Sequence, residues 1–233
     1  MGNYSTQATR VINQSAVATL FKSTYLQMAA ALAVTALTSF FLSESAAFNA
    51  IFYGNRMFMW IAILAELGVV IWISARLHAM SMAMATILFI AYSVLNGITL
   101  SVIFLVYEPE VIAITFAVTA GMFAVMSIIG YVTRMDLSKV GGILLMALVG
   151  IIIASVVNLF LGSETLYWVI TYVGVIVFVG LTAYDTNKLR QIYTEHGEVN
   201  ETGHKLALMG ALTLYLDFIN LFLYLLRIFG NRR

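Results

Sequence analysis

The sequence predicts an all-α integral membrane protein, a seven-transmembrane-helix bundle with the last helix central. Three observations predict it: the composition, seven long apolar runs, and a polar stripe along the last run. Of the 233 residues, 62% are hydrophobic and 10% charged, with mean hydropathy +0.96. Soluble domains run nearer 45–50% apolar and about 25% charged. A water-exposed surface needs roughly 25–35% charged residues to stay dispersed, so a soluble domain is excluded. Twelve Lys+Arg against 11 Asp+Glu leave no basic field to hold nucleic acid. The absence of Cys removes disulfides, thiolate zinc sites and thiol nucleophiles together.

The runs follow in order. Residues 1–18 form a polar N-terminal tail without the apolar core of a cleavable signal. Residues 19–233 form a single membrane domain with spans at roughly Thr19–Leu42, Met57–Ala75, Ser81–Val106, Val111–Val132, Val140–Leu161, Thr165–Tyr184 and Leu206–Phe229. Each reaches the length of about 20 residues that a bilayer-crossing helix requires. A membrane β-barrel would alternate in segments of about ten, and "LLMALVGIIIASVVNLF" does not alternate. The longest polar interruption is Asp185–Lys205, expected as a loop.

Basic residues beside the spans set the orientation. With a cytoplasmic N-terminus, that side receives Arg10, Lys22, Arg76, Arg134, Lys139, Lys188, Arg190 and Lys205, while only Arg56 lies opposite before the last span. Arg227, Arg232 and Arg233 oppose this bias. Either the upstream bias overrides them or the last segment is re-entrant, and seven crossings are favoured.

Polar residues within the spans are the functional candidates, because a central carboxylate costs about 2.5–3.5 kcal/mol on insertion scales. Glu66 lies near the middle of the second run, with Ile63, Ala62, Val69 and Val70 as its helical neighbours. Its partner must come from elsewhere: Arg76, a carboxylate across the bundle, or a backbone carbonyl. In the seventh run Gly210, Thr213, Asp217, Asn220 and Tyr224 fall within an arc of about 80° at 3.6 residues per turn. Leu212, Leu216 and Leu223 lie opposite. Such a stripe faces protein or water, which puts this helix inside the bundle; the alternative role is a hydrogen-bonded helix seam. Asp185 closes the sixth run, where a solvated interfacial carboxylate is the ordinary outcome. If it meets Asp217, two carboxyls in a site of low polarity share a proton, and the ionised pair attracts a hard cation such as Ca2+.

Weaker signals are set aside. Met80, Met82 and Met84 beside His78 are soft ligands, yet helix positions two apart do not converge on one ion. His196 and His204 sit among Glu195, Glu198 and Glu201, expected as a solvated loop. Thr86, Ser93, Asn96 and Gly97 share one face of the third run. No phosphate loop, HExxH or nucleophile triad occurs, so no enzymatic role and no cofactor is expected.

"FVGLTAYDTNKLRQIY" and "LTLYLDFINLFLYLLRIFG" resemble the paired signature of the transmembrane Bax inhibitor motif family, the Bax inhibitor-1 family. The resemblance covers essentially all the spans and is nearest to bacterial members. It implies six helices wrapped around a central seventh and a pH-sensitive Ca2+ leak in the bacterial inner membrane. By that resemblance the proton-sensing pair is Asp185 and Asp217, and Glu66 matches a glutamate of the second helix. Arg76 takes the place of a basic latch, pairing with Asp185 in the closed state, with its spacing from the glutamate differing by one. The alternative the family suggests is an interaction protein that regulates another membrane protein, such as a membrane-bound protease, through the tail Met1–Ala18. Lipid, Ca2+ and H+ are the partners expected on the first reading.

Overall fold

The computed structural model describes residues 2–52, 54, 56–76, 79–133, 135–196 and 198–230, and the side chains of all these except 2–13, 51 and 56. No strand occurs among the described residues. In chain order the helices are α1 (Gly2–Ser43), α2 (Ala46–Phe52), α3 (Arg56–Arg76), α4 (Met82–Leu100), α5 (Ile103–Val106), α6 (Pro109–Val132), α7 (Ser138–Leu161), α8 (Glu164–His196) and α9 (Glu201–Phe229). Among the described residues, seven segments are long and apolar enough to cross a membrane, with α4 and α5 together forming the third. α9 runs unbroken over its 29 residues, so the re-entrant alternative finds no break to use.

Local signals explain the boundaries. Ser81 caps α4 by accepting the Met84 N–H at 3.3 Å. Pro109 opens α6 at the position where a missing N–H costs nothing. Asp136 accepts the Ser138 N–H at 2.9 Å where α7 starts. The hydroxyl and N–H of Ser138 hold this exposed loop carboxyl below its ordinary range. α7 ends at Gly162, whose φ of 61° is the left-handed cap that favours glycine.

Two expected boundaries move. The polar tail is helical from Gly2 and continuous with the first span, and Ala16 and Val17 are already buried. The interval Asp185–Lys205 is not one long loop. α8 continues to His196 and α9 begins at Glu201. The 33 residues of α8 extend roughly 50 Å, well beyond an apolar core about 30 Å thick. A turn of helix beyond the core can be as polar as water allows, so hydropathy marks where the apolar part stops and not where the helix does.

The chain divides into two compact units. One comprises Met1–Val106 with Ile192–Tyr215, the other Tyr107–Gln191 with Leu216–Arg233. In the first, Gly97 of α4 lies so close to α1 that an added Cβ would meet Thr38 and the Thr35 carbonyl. Ser39 donates to the Gly97 carbonyl at 2.9 Å and Thr35 to that of Ser93 at 2.9 Å. In the second, Ile151, Ile170, Val177, Phe178, Leu181, Leu221 and Leu225 form an apolar core. Two-thirds of the α9 span window is buried (67%), against 11–44% for the other six. That contrast makes the last helix the interior one.

Candidate functional site

Asp185 and Asp217 lie in the second unit, on α8 and α9. There the two helices run antiparallel: Asp185 meets Asp217, Phe178 stacks on Tyr224 at 5.8 Å, and Tyr167 meets Arg227 at 5.5 Å. The chain order rises on one helix as it falls on the other. The two carboxyls meet within hydrogen-bonding reach of each other, a contact that is favourable only when one of them carries a proton as donor. Asp217 is only 5% exposed, and its buried Oδ2 has no hydrogen-bond partner among the described residues. Asp185 is half-buried, and the exposed Lys188 one turn on lies over the Tyr184 ring at 5.9 Å.

Residues around Asp185 pin its helix. Asn187 donates from Nδ2 to the carbonyls of Gly130 and Thr133 at 3.1 and 3.2 Å. Arg190 donates to Tyr131 and Thr133 carbonyls at 2.8 and 3.0 Å. These are carbonyls at the end of α6, which otherwise have no intrahelical donor. Gly130 permits the approach, since a Cβ there would run into the Ala183 backbone. Asn187, Arg190 and Gly130 are positioning residues that sequence reasoning missed. Their pattern is ordinary for a helix end, and only the neighbouring α6 gives it meaning.

The stripe on α9 is not the sole interior face. Thr213, Asn220 and Tyr224 are half-buried, while Leu214, Tyr215 and Leu221 between them are fully buried. Thr213 donates to the Met209 carbonyl at 3.1 Å and Asn220 to that of Leu216 at 2.8 Å. Both therefore satisfy themselves on their own helix, and Leu212, expected on the opposite side, is also buried. Asp217 alone among the polar residues of the stripe is fully buried.

Glu66 sits in the first unit with a different partner from those expected. Its Oε1 accepts the Thr99 hydroxyl at 2.6 Å, and Thr99 also reaches the Asn96 carbonyl at 3.0 Å. The donor comes from α4, so Arg76 is not needed to satisfy this carboxyl. Arg76 is the exposed last residue of α3, and neither ion pair found among the described residues includes it. The same unit holds two buried tyrosine hydroxyls. Tyr215 pairs with Thr35 at 2.7 Å and Tyr193 with Thr24 at 2.8 Å. Tyrosine in an apolar span reads as packing, so nothing in the sequence marks these pairs.

The aspartate pair can attract a cation but cannot cage one. Ca2+ takes about six to eight oxygens, and two carboxyls offer at most four. No group of three or more His, Asp or Glu converges anywhere among the described residues. That includes the histidine-rich segment, where His196 lies 3.9 Å from Glu195 and Lys205 pairs with Glu201 at 3.0 Å. His204 lies within α9 rather than in a loop, while His78 of the soft-ligand segment lies outside the described residues.

Comparison with known proteins adds the lineage. The family profile described as inhibitor of apoptosis-promoting Bax1 matches residues 17–233. The inner membrane protein YbhL of Escherichia coli K12 is 51% identical over 217 residues, covering 92% of each chain. An uncharacterized protein of Borreliella burgdorferi is 44% identical over 206 residues, 88% of this chain and 89% of its own. One of Deinococcus radiodurans is 40% identical over 217 residues, 93% and 92% of the two chains. A match this long, including both aspartate-bearing helices, makes the chain a multi-pass membrane protein of the Bax inhibitor-1 family.

Proposed function

We propose that this protein is a proton-regulated cation leak, permeable to Ca2+, in which Asp185 and Asp217 sense protons. The observation that carries the reading is the meeting of these two carboxyls, one of them buried. Two acids separated by 32 positions, brought together away from water, hold one proton between them when protonated and repel when both are ionised. Titration of the pair therefore changes both the local attraction for a cation and the contact between α8 and α9. Asn187, Arg190 and Gly130 fix α8 against α6, so this change acts on a held element. The basic-residue bias supports a cytoplasmic N-terminus, and the likeness to an E. coli inner membrane protein supports a bacterial inner membrane location.

The test is Ca2+ flux into proteoliposomes of purified protein across a pH series. Flux that depends on pH in the wild type, and loses that dependence in Asp217→Asn and Asp185→Asn, supports the reading. Protein-dependent flux that is flat with pH removes it.

A further inference from the structure

At the far end of α8 from Asp185, about 30 Å away along the helix at 1.5 Å per residue, the second unit contains a cavity of about 540 Å³. Asn158, Glu164, Tyr167, Trp168, Arg227 and Gly230 are among the residues that line it. Its volume falls within the range of about 300–1,000 Å³ typical of small-molecule sites. Neither the carboxyl pair nor Glu66 borders it, so the leak reading does not use it.

The cavity carries two opposite charges that do not neutralise each other. Arg227 lies over the rings of Tyr224 and Tyr167 at 5.1 and 5.5 Å. Neither ion pair found among the described residues includes Arg227 or Glu164. Cation–π contacts hold the guanidinium by its faces and leave its N–H edge for an oxyanion, which Arg recognises in bidentate fashion. Glu164, in the first turn of α8, is exposed and offers an acceptor for an ammonium group. Beside Glu164, Gly162 turns the chain with a left-handed φ of 61°, and Asn158 Oδ1 accepts the Ser163 N–H at 2.9 Å.

Adjacent residues identify the source of such a ligand. Leu159, Phe160 and Leu161 lead directly into the turn and are 73%, 85% and 66% exposed, an apolar surface suited to acyl chains. Trp168 and Tyr167 occupy the span end, where amphipathic rings sit at headgroup level. We propose that this cavity binds the headgroup of a zwitterionic phospholipid, with its phosphate on Arg227 and its primary ammonium on Glu164.

The experiment reconstitutes the full chain in nanodiscs of phosphatidylethanolamine, phosphatidylglycerol or phosphatidylcholine with identical acyl chains. Native mass spectrometry then counts the lipid retained on release. Wild type is expected to keep phosphatidylethanolamine about tenfold better than either other lipid, the margin of one charge-assisted hydrogen bond. Arg227→Gln should lower retention of all three lipids about tenfold, because each carries the phosphate it holds, and leave their order unchanged. Glu164→Gln should let phosphatidylglycerol bind as well as phosphatidylethanolamine. Equal retention of all three lipids by wild type overturns the proposal, as does folded Arg227→Gln that keeps phosphatidylethanolamine like wild type. Should Arg227→Gln fail to fold, the exposed Glu164→Gln decides alone, and unchanged selectivity refutes the assignment. In detergent, thermal protection by inorganic phosphate that added phosphatidylethanolamine does not match assigns the site to a soluble anion and overturns the lipid assignment.

Discussion

Asp217→Asn isolates the charge of the buried carboxyl from its shape. In the wild type the two carboxyls meet, Oδ2 of Asp217 has no hydrogen-bond partner, and no third acid joins them among the described residues. On the proposed reading the pair exchanges a single shared proton. An equilibrium coupled to one proton changes by at most about tenfold per pH unit, or about 1.4 kcal/mol. The slope of log flux against pH is therefore bounded near one for the wild type and should fall near zero in the variant. The asparagine amide donates an N–H to Asp185 in place of the shared proton, so the α8–α9 contact persists. The stability cost should be no more than a hydrogen bond's net worth, about 1 kcal/mol. Flux of Ca2+ into proteoliposomes, with helical content checked by circular dichroism, reads both quantities. Asp185→Asn should behave alike, and the double variant should be no worse than either single, because members of one coupled pair are not additive. A folded Asp217→Asn that retains the wild-type slope refutes the proton-sensing role.

Other expected outcomes follow from packing and hydrogen bonding. Gly130→Ala drives a Cβ into the Ala183 backbone, whereas Gly121→Ala on the same helix meets nothing within 4 Å. The first should lower stability by about 1–3 kcal/mol and the second should not, as thermal unfolding in detergent will show; equal effects would deny the close α6–α8 approach. Thr35→Val orphans the buried Tyr215 hydroxyl and should cost about 1–3 kcal/mol, with Tyr215→Phe added to it recovering part of the loss; no recovery would remove the Thr35–Tyr215 bond from the account. Glu66→Gln keeps an oxygen for the Thr99 hydroxyl and should fold like wild type, whereas Thr99→Val should cost about 1–3 kcal/mol by stranding the acceptor. Asp136, held below its ordinary range by Ser138, supports the start of α7 at neutral pH. That support is fully present above the ordinary carboxylate range and is lost progressively as pH falls from there through the lowered value, which a carboxyl NMR titration locates.

The motif pair around Asp185 and Asp217 was legible because each acid interrupts or closes an apolar run, where a charge is expensive enough to stand out. Glu66 was legible for the same reason, but its partner was not. Thr99 is one of many hydroxyls in the spans, and a hydroxyl costs too little to be marked. The extension of α8 to His196 was hidden by the polarity of Asp185–Lys205, since a helix leaving the bilayer changes its composition without ending.

By itself the sequence determined the class of protein, the seven spans and the two acids, because insertion into lipid is decided locally, residue by residue along each segment. Tertiary structure decided everything that depends on which helices are neighbours. It paired the aspartates, gave Asn187 and Arg190 the open carbonyls of α6, and assigned Thr99 to Glu66. It also buried α9 on nearly all sides, so the polar stripe is not the feature that makes it central. Inside a bilayer every helix is apolar on the outside and no hydrophobic contrast distinguishes a neighbour from lipid. The choice of contacts therefore rests on close fit, such as Gly130 against Ala183, and that fit exists only once the helices are assembled.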